Sequence, residues 1–361
     1  MNLSVYFSEY VSNTLAGTSN QLFFDCPGER TGYAFYRIFK EGRFDYSFFY
    51  TNTVDSTFGK GEISRAGDLC GSYEISALSV AVIKNKEAAL SGRADFLPLT
   101  FDGERTRTVL PGEAFVSDPV SLTVDRDDYL CLRMTFSGGR LPCHVENLIP
   151  TYVDEGKGAV SSKYLPLPSM VGVRRPVRRR VAFWGDSITQ GIGTPEDSYL
   201  GYVPVAAREL GSEYSFWNLG IGYGRAEDAA TDGAWAAKVR QCDTAVVCFG
   251  VNDILHVGDF ERAKTAISQI AGILRDKTVI FQLIPPFDYN REKGEIYQAL
   301  NEHIRTHVAP RVTAVFDETP FLAEKENPLA AIYGGHPNPQ GCHIWGERLA
   351  AFLSPFLKEQ R

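Results

Sequence analysis

Apolar residues in the first part of the chain come in short runs with strand-like alternation, broken by glycine, proline and aspartate. From residue 1 to about 153, runs such as Phe44-Asp45-Tyr46-Ser47-Phe48-Phe49-Tyr50, residues 75–83 and Val120-Ser121-Leu122-Thr123-Val124 predict strands separated by turns. Two turn signals, Asp102-Gly103 and Pro111-Gly112, fall within one hairpin's length. The pattern predicts an all-β domain, a sandwich or jelly roll. Its aromatic residues Tyr33, Phe35, Tyr36, Tyr46 and Tyr50 fit either a sugar-stacking platform or a core. The core is the preferred reading, because a sandwich needs large β-formers at alternating positions.

Residues from about 154 to 178 hold Gly156, Gly158, Pro166, Pro168 and Pro176 with little periodicity, which predicts a linker or a wrapping loop. From residue 179 the pattern changes to strands alternating with helical segments, with strands expected at 181–184, 215–219, 244–249, 278–284 and 312–316. Asp259 is placed to cap a helix whose Phe260, Ala263, Ile267, Ile270 and Leu274 share one face. Trp345, Leu349, Phe352 and Phe356 form a second such stripe near the end. This predicts an α/β fold, a flavodoxin-like three-layer αβα sandwich around a five-stranded parallel sheet. The expected organisation is an accessory β-sandwich or jelly-roll domain over 1–165, a linker over 166–178 and an α/β catalytic domain over 179–361.

A length of 361 residues exceeds what one ordinary core serves, so two domains agree with the pattern. Hydrophobic content of 44% and charged content of 22% are those of a globular protein. A net charge of -7 argues against a nucleic-acid partner. The densest basic run, Arg174, Arg175, Arg178, Arg179 and Arg180, reads as a solvated connection paired with nearby carboxylates. The first residues lack a basic start and an unbroken apolar core, and no stretch is long enough to cross a bilayer, so a cytoplasmic protein without a membrane partner is expected. The seven cysteines, Cys26, Cys70, Cys131, Cys143, Cys242, Cys248 and Cys342, show no CxxC and no metal-ligand spacing. They are expected as reduced core thiols, and neither a metal nor a cofactor is expected.

Candidate chemistry starts at residues 181–191, VAFWGDSITQG, where four apolar residues run into Gly-Asp-Ser and then into residues suited to a helix start. That places the hydroxyl of Ser187 at the C-terminal edge of a parallel strand, beside the unpaired amides of a helix. Gly185-Asp186-Ser187-Ile188-Thr189 resembles the first sequence block of the SGNH hydrolases, also known as GDSL esterases or lipases. Asn218-Leu219-Gly220-Ile221-Gly222 resembles the second block, Gly250-Val251-Asn252-Asp253 the third and His336-Pro337-Asn338 the last, in the family's order. The resemblance covers about residues 179–357 and is vague before them.

The resemblance implies Ser187 as nucleophile and His336 as its base, with an oxyanion held by the amide of Ser187, an amide of the second block and the side chain of Asn252. Ungapped alignment puts Tyr223 where many relatives have glycine, and a one-residue gap gives Gly222, which is preferred. Asp186 is expected to hold the turn by accepting hydrogen bonds, Asp253 to brace its own turn and Trp184 to lie in the core. His343 is the second choice for the base, and His144, His256, His303 and His307 are expected in surface or packing roles.

One departure from the family pattern is large, because Tyr333 stands three residues before the histidine, where full triads carry aspartate. Either a backbone carbonyl holds His336, giving a Ser-His dyad, or a carboxylate such as Asp317 or Glu318 reaches it from another loop. The implied activity is hydrolysis of small acyl esters, acetyl groups on a carbohydrate foremost, through an acyl-enzyme and without metal. The alternatives are a lysophospholipase or thioesterase, or a carbohydrate-binding protein on a silent hydrolase fold.

Overall fold

The computed structural model describes residues 2–59 and 65–358. Contacts divide the chain into two units, Met1–Val54 with Gly67–Pro176, and Asp55–Ala66 with Val177–Arg361. The second unit is therefore discontinuous in sequence, and its early segment interrupts a stretch expected to be wholly β.

In the first unit all strand pairs are antiparallel. One sheet runs in the order Tyr10–Ser12, Met170–Arg174, Gly42–Thr51, Ala114–Val116, with Val120–Val124 also paired to Gly42–Thr51. The other runs Ala159–Ser161, Thr151–Asp154, Leu22–Arg37, Tyr129–Cys143, Tyr73–Ile83, Leu97–Leu99, with Arg107–Val109 also on Tyr73–Ile83. Two short helices, Leu3–Glu9 and Lys86–Leu90, accompany the sheets. Strand Val120–Val124 shows why such sequences pair, since Leu122 and Val124 turn inward while Ser121 and Thr123 face out. The Asp102-Gly103 turn closes a bridge from Phe101 to Glu104, with Asp102 and Gly103 both at positive φ. The flanking strands Leu97–Leu99 and Arg107–Val109 each pair with Tyr73–Ile83 instead of with each other.

All five aromatic residues considered for a sugar platform, Tyr33, Phe35, Tyr36, Tyr46 and Tyr50, are buried. They are core, as the preferred reading had it, and the platform reading falls because none presents a face to a ligand. Within 166–178, expected as linker, Met170–Arg174 is a strand bonded on both edges. Its prolines lie outside those five residues, so the ladder loses no donor. Arg174 pairs with Glu9 at 2.8 Å, and Arg178 pairs with Glu213 at 3.2 Å within the second unit. All seven cysteines are buried, and none is in a disulfide.

The second unit is built on five parallel strands, Arg180–Gly185, Ser215–Asn218, Thr244–Cys248, Thr278–Gln282 and Ala314–Phe316. Their spatial order is second, first, third, fourth, fifth. Every residue of Thr244–Cys248 and Thr278–Gln282 is buried. Because successive side chains point to opposite faces, both faces of these strands are covered. The order reverses between the first strand and the third, which opens a crevice at their C-terminal ends. Asp259 caps helix Phe260–Ile273 by accepting the Arg262 amide, and Ala263, Ile267, Ile270 and Leu274 are buried. In the last helix, Pro339–Lys358, the buried line is Trp345, Leu349, Leu353 and Leu357, while Phe352 and Phe356 lie at its margin and stay partly exposed. Among the described residues no helix is long and apolar enough to cross a membrane.

Candidate active site

The first strand ends at Gly185, where a Cβ would overlap Thr189 Oγ1 and the Cys248 carbonyl, so only glycine lets the chain turn so tightly. Asp186 then caps the one-turn helix Ser187–Gln190 by accepting the Ile188 amide at 3.0 Å. Ser187 opens that helix, so its own amide has no intrahelical partner. Burial pushes the Asp186 carboxyl up to about 7, against the amide bond from Ile188 and helped by repulsion from Asp253. Asp186 thus bonds the turn that carries Ser187.

Ser187 Oγ lies 2.7 Å from His336 Nε2. The loop carrying His336 is fixed by contacts far apart in sequence. A Cβ at Gly193, which has φ of 103°, would come within 2.6 Å of the Pro337 carbonyl and 2.8 Å of the His336 carbonyl, so this glycine lets the two loops touch. The Phe287 ring meets the imidazole edge to face at 5.2 Å and 78°. Asn338 accepts the Gly341 amide at 3.0 Å and so caps the last helix directly after the histidine. Burial lowers the His336 pKa below the ordinary histidine value.

Neither carboxylate considered as an orienter reaches the imidazole. Asp317 accepts Arg305 and the Thr319 amide, both at 3.0 Å. Glu318 is fully buried, and both its oxygens lack a hydrogen-bond partner among the described residues. Burial raises its pKa well above the ordinary carboxyl value, which favours the neutral acid. Among the described residues His336 Nδ1 also has no hydrogen bond, so neither the backbone carbonyl nor the carboxylate considered as alternatives bonds the ring, and the Phe287 ring packs against it. The Tyr333 side chain lies over Gly341, where an added Cβ would come within 2.6 Å of Tyr333 Cβ.

The second and third blocks close around the same strand ends. The Ile221 amide donates to the Gly185 carbonyl at 3.2 Å, and a Cβ on Gly220 would overlap the Gln190 amide. Gly222 and Tyr223 follow in a turn, with Tyr223 at φ of 62°. Asn252 Nδ2 donates to the Gly224 carbonyl at 3.0 Å, which engages one of its two amide hydrogens. Asp253 accepts the Ala226 amide at 3.0 Å, the bracing role expected of it, and burial pushes its carboxyl up to about 6. Trp184 is buried edge to face against Trp235 and Phe249. Of the other histidines, His343 is exposed and pairs with Glu347, His303 bonds Ser268, and His256 stacks on Tyr223. Among the described residues no cluster of His, Cys, Asp and Glu is arranged to hold a metal.

A buried polar chain joins these parts and has no sequence signature. Thr189 Oγ1 and the Tyr202 hydroxyl lie 2.8 Å apart, Gln282 Nε2 donates to that hydroxyl at 3.2 Å, and Trp345 Nε1 donates to Gln282 Oε1 at 2.9 Å. The Tyr202 and Trp345 rings stack at 4.2 Å. The helix that starts at Ser187, the fourth strand and the last helix are thereby tied together.

Residues 183–344 match the model of the GDSL-like lipase/acylhydrolase family. No curated protein matches the chain. Among solved structures, a family two carbohydrate esterase from Clostridium thermocellum, in complex with cellohexaose, is 15% identical, covers 96% of this chain and 99% of its own, and has a TM-score of 0.41. A member of the lipolytic protein G-D-S-L family from Veillonella parvula DSM 2008 is 18% identical over 48% of this chain and 96% of its own, with a TM-score of 0.39. Est24, a carbohydrate acetylesterase from Sinorhizobium meliloti, is 14% identical over 49% of this chain and 99% of its own, with a TM-score of 0.36. The blocks around Ser187, Asn252 and His336 fall inside the matched stretch, and over residues 183–344 the chain is a GDSL-like lipase/acylhydrolase domain.

Proposed function

We propose that this protein is a serine esterase that removes small acyl groups, acetyl foremost, from esters carried on a carbohydrate. The observation that carries the reading is the 2.7 Å approach of Ser187 Oγ to His336 Nε2 at the reversal point of the parallel sheet. In this mechanism the Ser187 hydroxyl donates to Nε2, so the proton passes to the imidazole as Oγ attacks the ester carbonyl. The carbonyl oxygen gains negative charge and accepts hydrogen bonds from the amides of Ser187 and Gly222 and from the second Nδ2 hydrogen of Asn252. The imidazolium returns its proton to the leaving alcohol, and water, activated by the same histidine, then releases the acid from the acyl-enzyme.

Among the described residues no carboxylate bonds the imidazole, so in this reading Ser187 and His336 act as a dyad. Asp186 supports the nucleophile's turn without touching substrate. In this reading the parallel unit is a flavodoxin-like sandwich that serves as the catalytic domain from residue 179 onward, its strand order being that of the flavodoxin-like type. The first unit is an accessory β-sandwich.

Incubation with p-nitrophenyl acetate and a fluorophosphonate probe tests the proposal. Turnover and labelling at Ser187, both lost in Ser187→Ala, are the expected result. Sugar binding with neither turnover nor labelling would replace the esterase by a binding protein.

A further inference from the structure

Residues 55–59 are anchored on the second unit far more heavily than closing a surface turn requires. Lys238 Nζ donates to Asp55 Oδ2 at 2.7 Å, and the two side chains are 2% and 0% exposed. The buried carboxylate of Asp228 accepts the Ser56 hydroxyl at 2.7 Å, the Thr57 amide at 2.9 Å and the Thr57 hydroxyl at 3.0 Å. Arg225 Nη2 adds a bond to the Gly59 carbonyl at 3.2 Å. What this strap presents is Phe58, partly exposed, whose ring meets Tyr223 edge to face at 5.2 Å and 76°. Tyr223 in turn stacks on the His256 ring at 5.5 Å and 30°.

Tyr223 occupies a left-handed conformation, costly for a bulky residue, in the turn between Ile221 and Gly224. That turn is fastened at one end to Gly185, two residues before Ser187, and at the other to Asn252. The aromatic pair therefore stands at the rim of the proposed acyl site. Resting on the esterase reading, we propose that Phe58 and Tyr223 form the wall that stacks on the sugar ring of the ester substrate. A pyranose offers an apolar C–H face and a rim of hydroxyls, and the rings of Phe58 and Tyr223 match the face while the Tyr223 hydroxyl and the His256 imidazole bring polar atoms to the rim. An alkyl chain would fit a wholly apolar channel, which this mixed surface is not.

The test uses the full chain with methyl 6-O-acetyl-β-glucopyranoside and, as a ring-free comparison, ethyl acetate, both followed by acid release. In Phe58→Ala the KM for the sugar ester should rise roughly tenfold, several times more than that for ethyl acetate, with kcat moving far less. Phe58→Trp should keep the preference for the sugar ester. Asp228→Asn, a change in a positioning residue, should reproduce the KM effect in the same direction. Equal losses on both esters, or no change on either, would overturn the wall. Binding of the sugar ester to Ser187→Ala, measured by calorimetry, reads the wall without turnover, and adding Phe58→Ala should weaken it roughly tenfold. Absence of labelling at Ser187 would defeat the esterase reading instead, while affinity independent of Phe58 would defeat this one alone.

Discussion

Burial lowers the basicity of His336. An imidazole must be neutral to take the serine proton, and a lowered pKa keeps it neutral to more acid pH. The acid limb of kcat/KM should therefore lie below the ordinary histidine value near 6.5. Phe287→Ala, which admits water to the ring, should move that limb upward in a pH–rate profile. A limb above 6.5 in the unaltered protein would contradict the assignment. Asn252→Ala should lower kcat by about 100- to 1000-fold through loss of one oxyanion donor. Tyr333→Phe should change kcat/KM little, since that side chain packs on Gly341 and makes no bond to the imidazole. Ser187, Asn252 and His336 were legible because their blocks are local, and Tyr333 made the missing aspartate legible as well. Phe287 was not, because a ring that meets His336 only in the folded chain leaves no spacing to read.

Helices and strands hold these side chains through the chain from Thr189 through Tyr202 and Gln282 to Trp345. Gln282→Leu removes two buried hydrogen bonds and strands the Trp345 indole N–H, at a cost of about 1–3 kcal/mol. A fall in Tm without loss of secondary structure is the expected outcome in a thermal scan, and an unchanged Tm would show the chain to be dispensable. The strands of the parallel sheet could be read from their apolar runs, but the second, third and fourth were carried past their C-terminal ends, the fifth was begun too early and the first was drawn one residue short at each end. The fourth stops at Gln282 because the two prolines at 285 and 286 cannot continue a ladder. Met170–Arg174 was missed because its five residues sit among glycines and prolines, and its partners lie more than a hundred residues earlier. Gly191 and Gly193, a close pair after the helix that starts at Ser187, were the signal that backbone approaches backbone there.

Across the whole molecule, burial raises the carboxyl pKa of Asp186 to about 7, of Asp253 to about 6 and of Glu318 well above its ordinary value. A folded state that binds protons more tightly than the unfolded chain loses stability as pH rises through that window. For Glu318 the loss begins near pH 4.5 and grows by about 1.4 kcal/mol per pH unit up to its folded pKa. Glu318→Gln, a neutral isostere, should therefore raise Tm at pH 8 and leave it unchanged at pH 4. Equal shifts at both pH values would mean that Glu318 is not neutral in the fold. The association of Asp55–Ala66 with the later unit was invisible in sequence, since nothing in that segment marks it off from its β surroundings. Its consequence reaches beyond the site. A fragment cut at residue 177 would leave Lys238 buried without Asp55 and Asp228 without the hydroxyls and amide it accepts, a defect costing about 3–5 kcal/mol for the ion pair alone. The GDSL-like domain is thus not a cassette to be lifted out at residue 177, and shuffling of domains at that obvious junction would hand a new host a fold with a missing stitch.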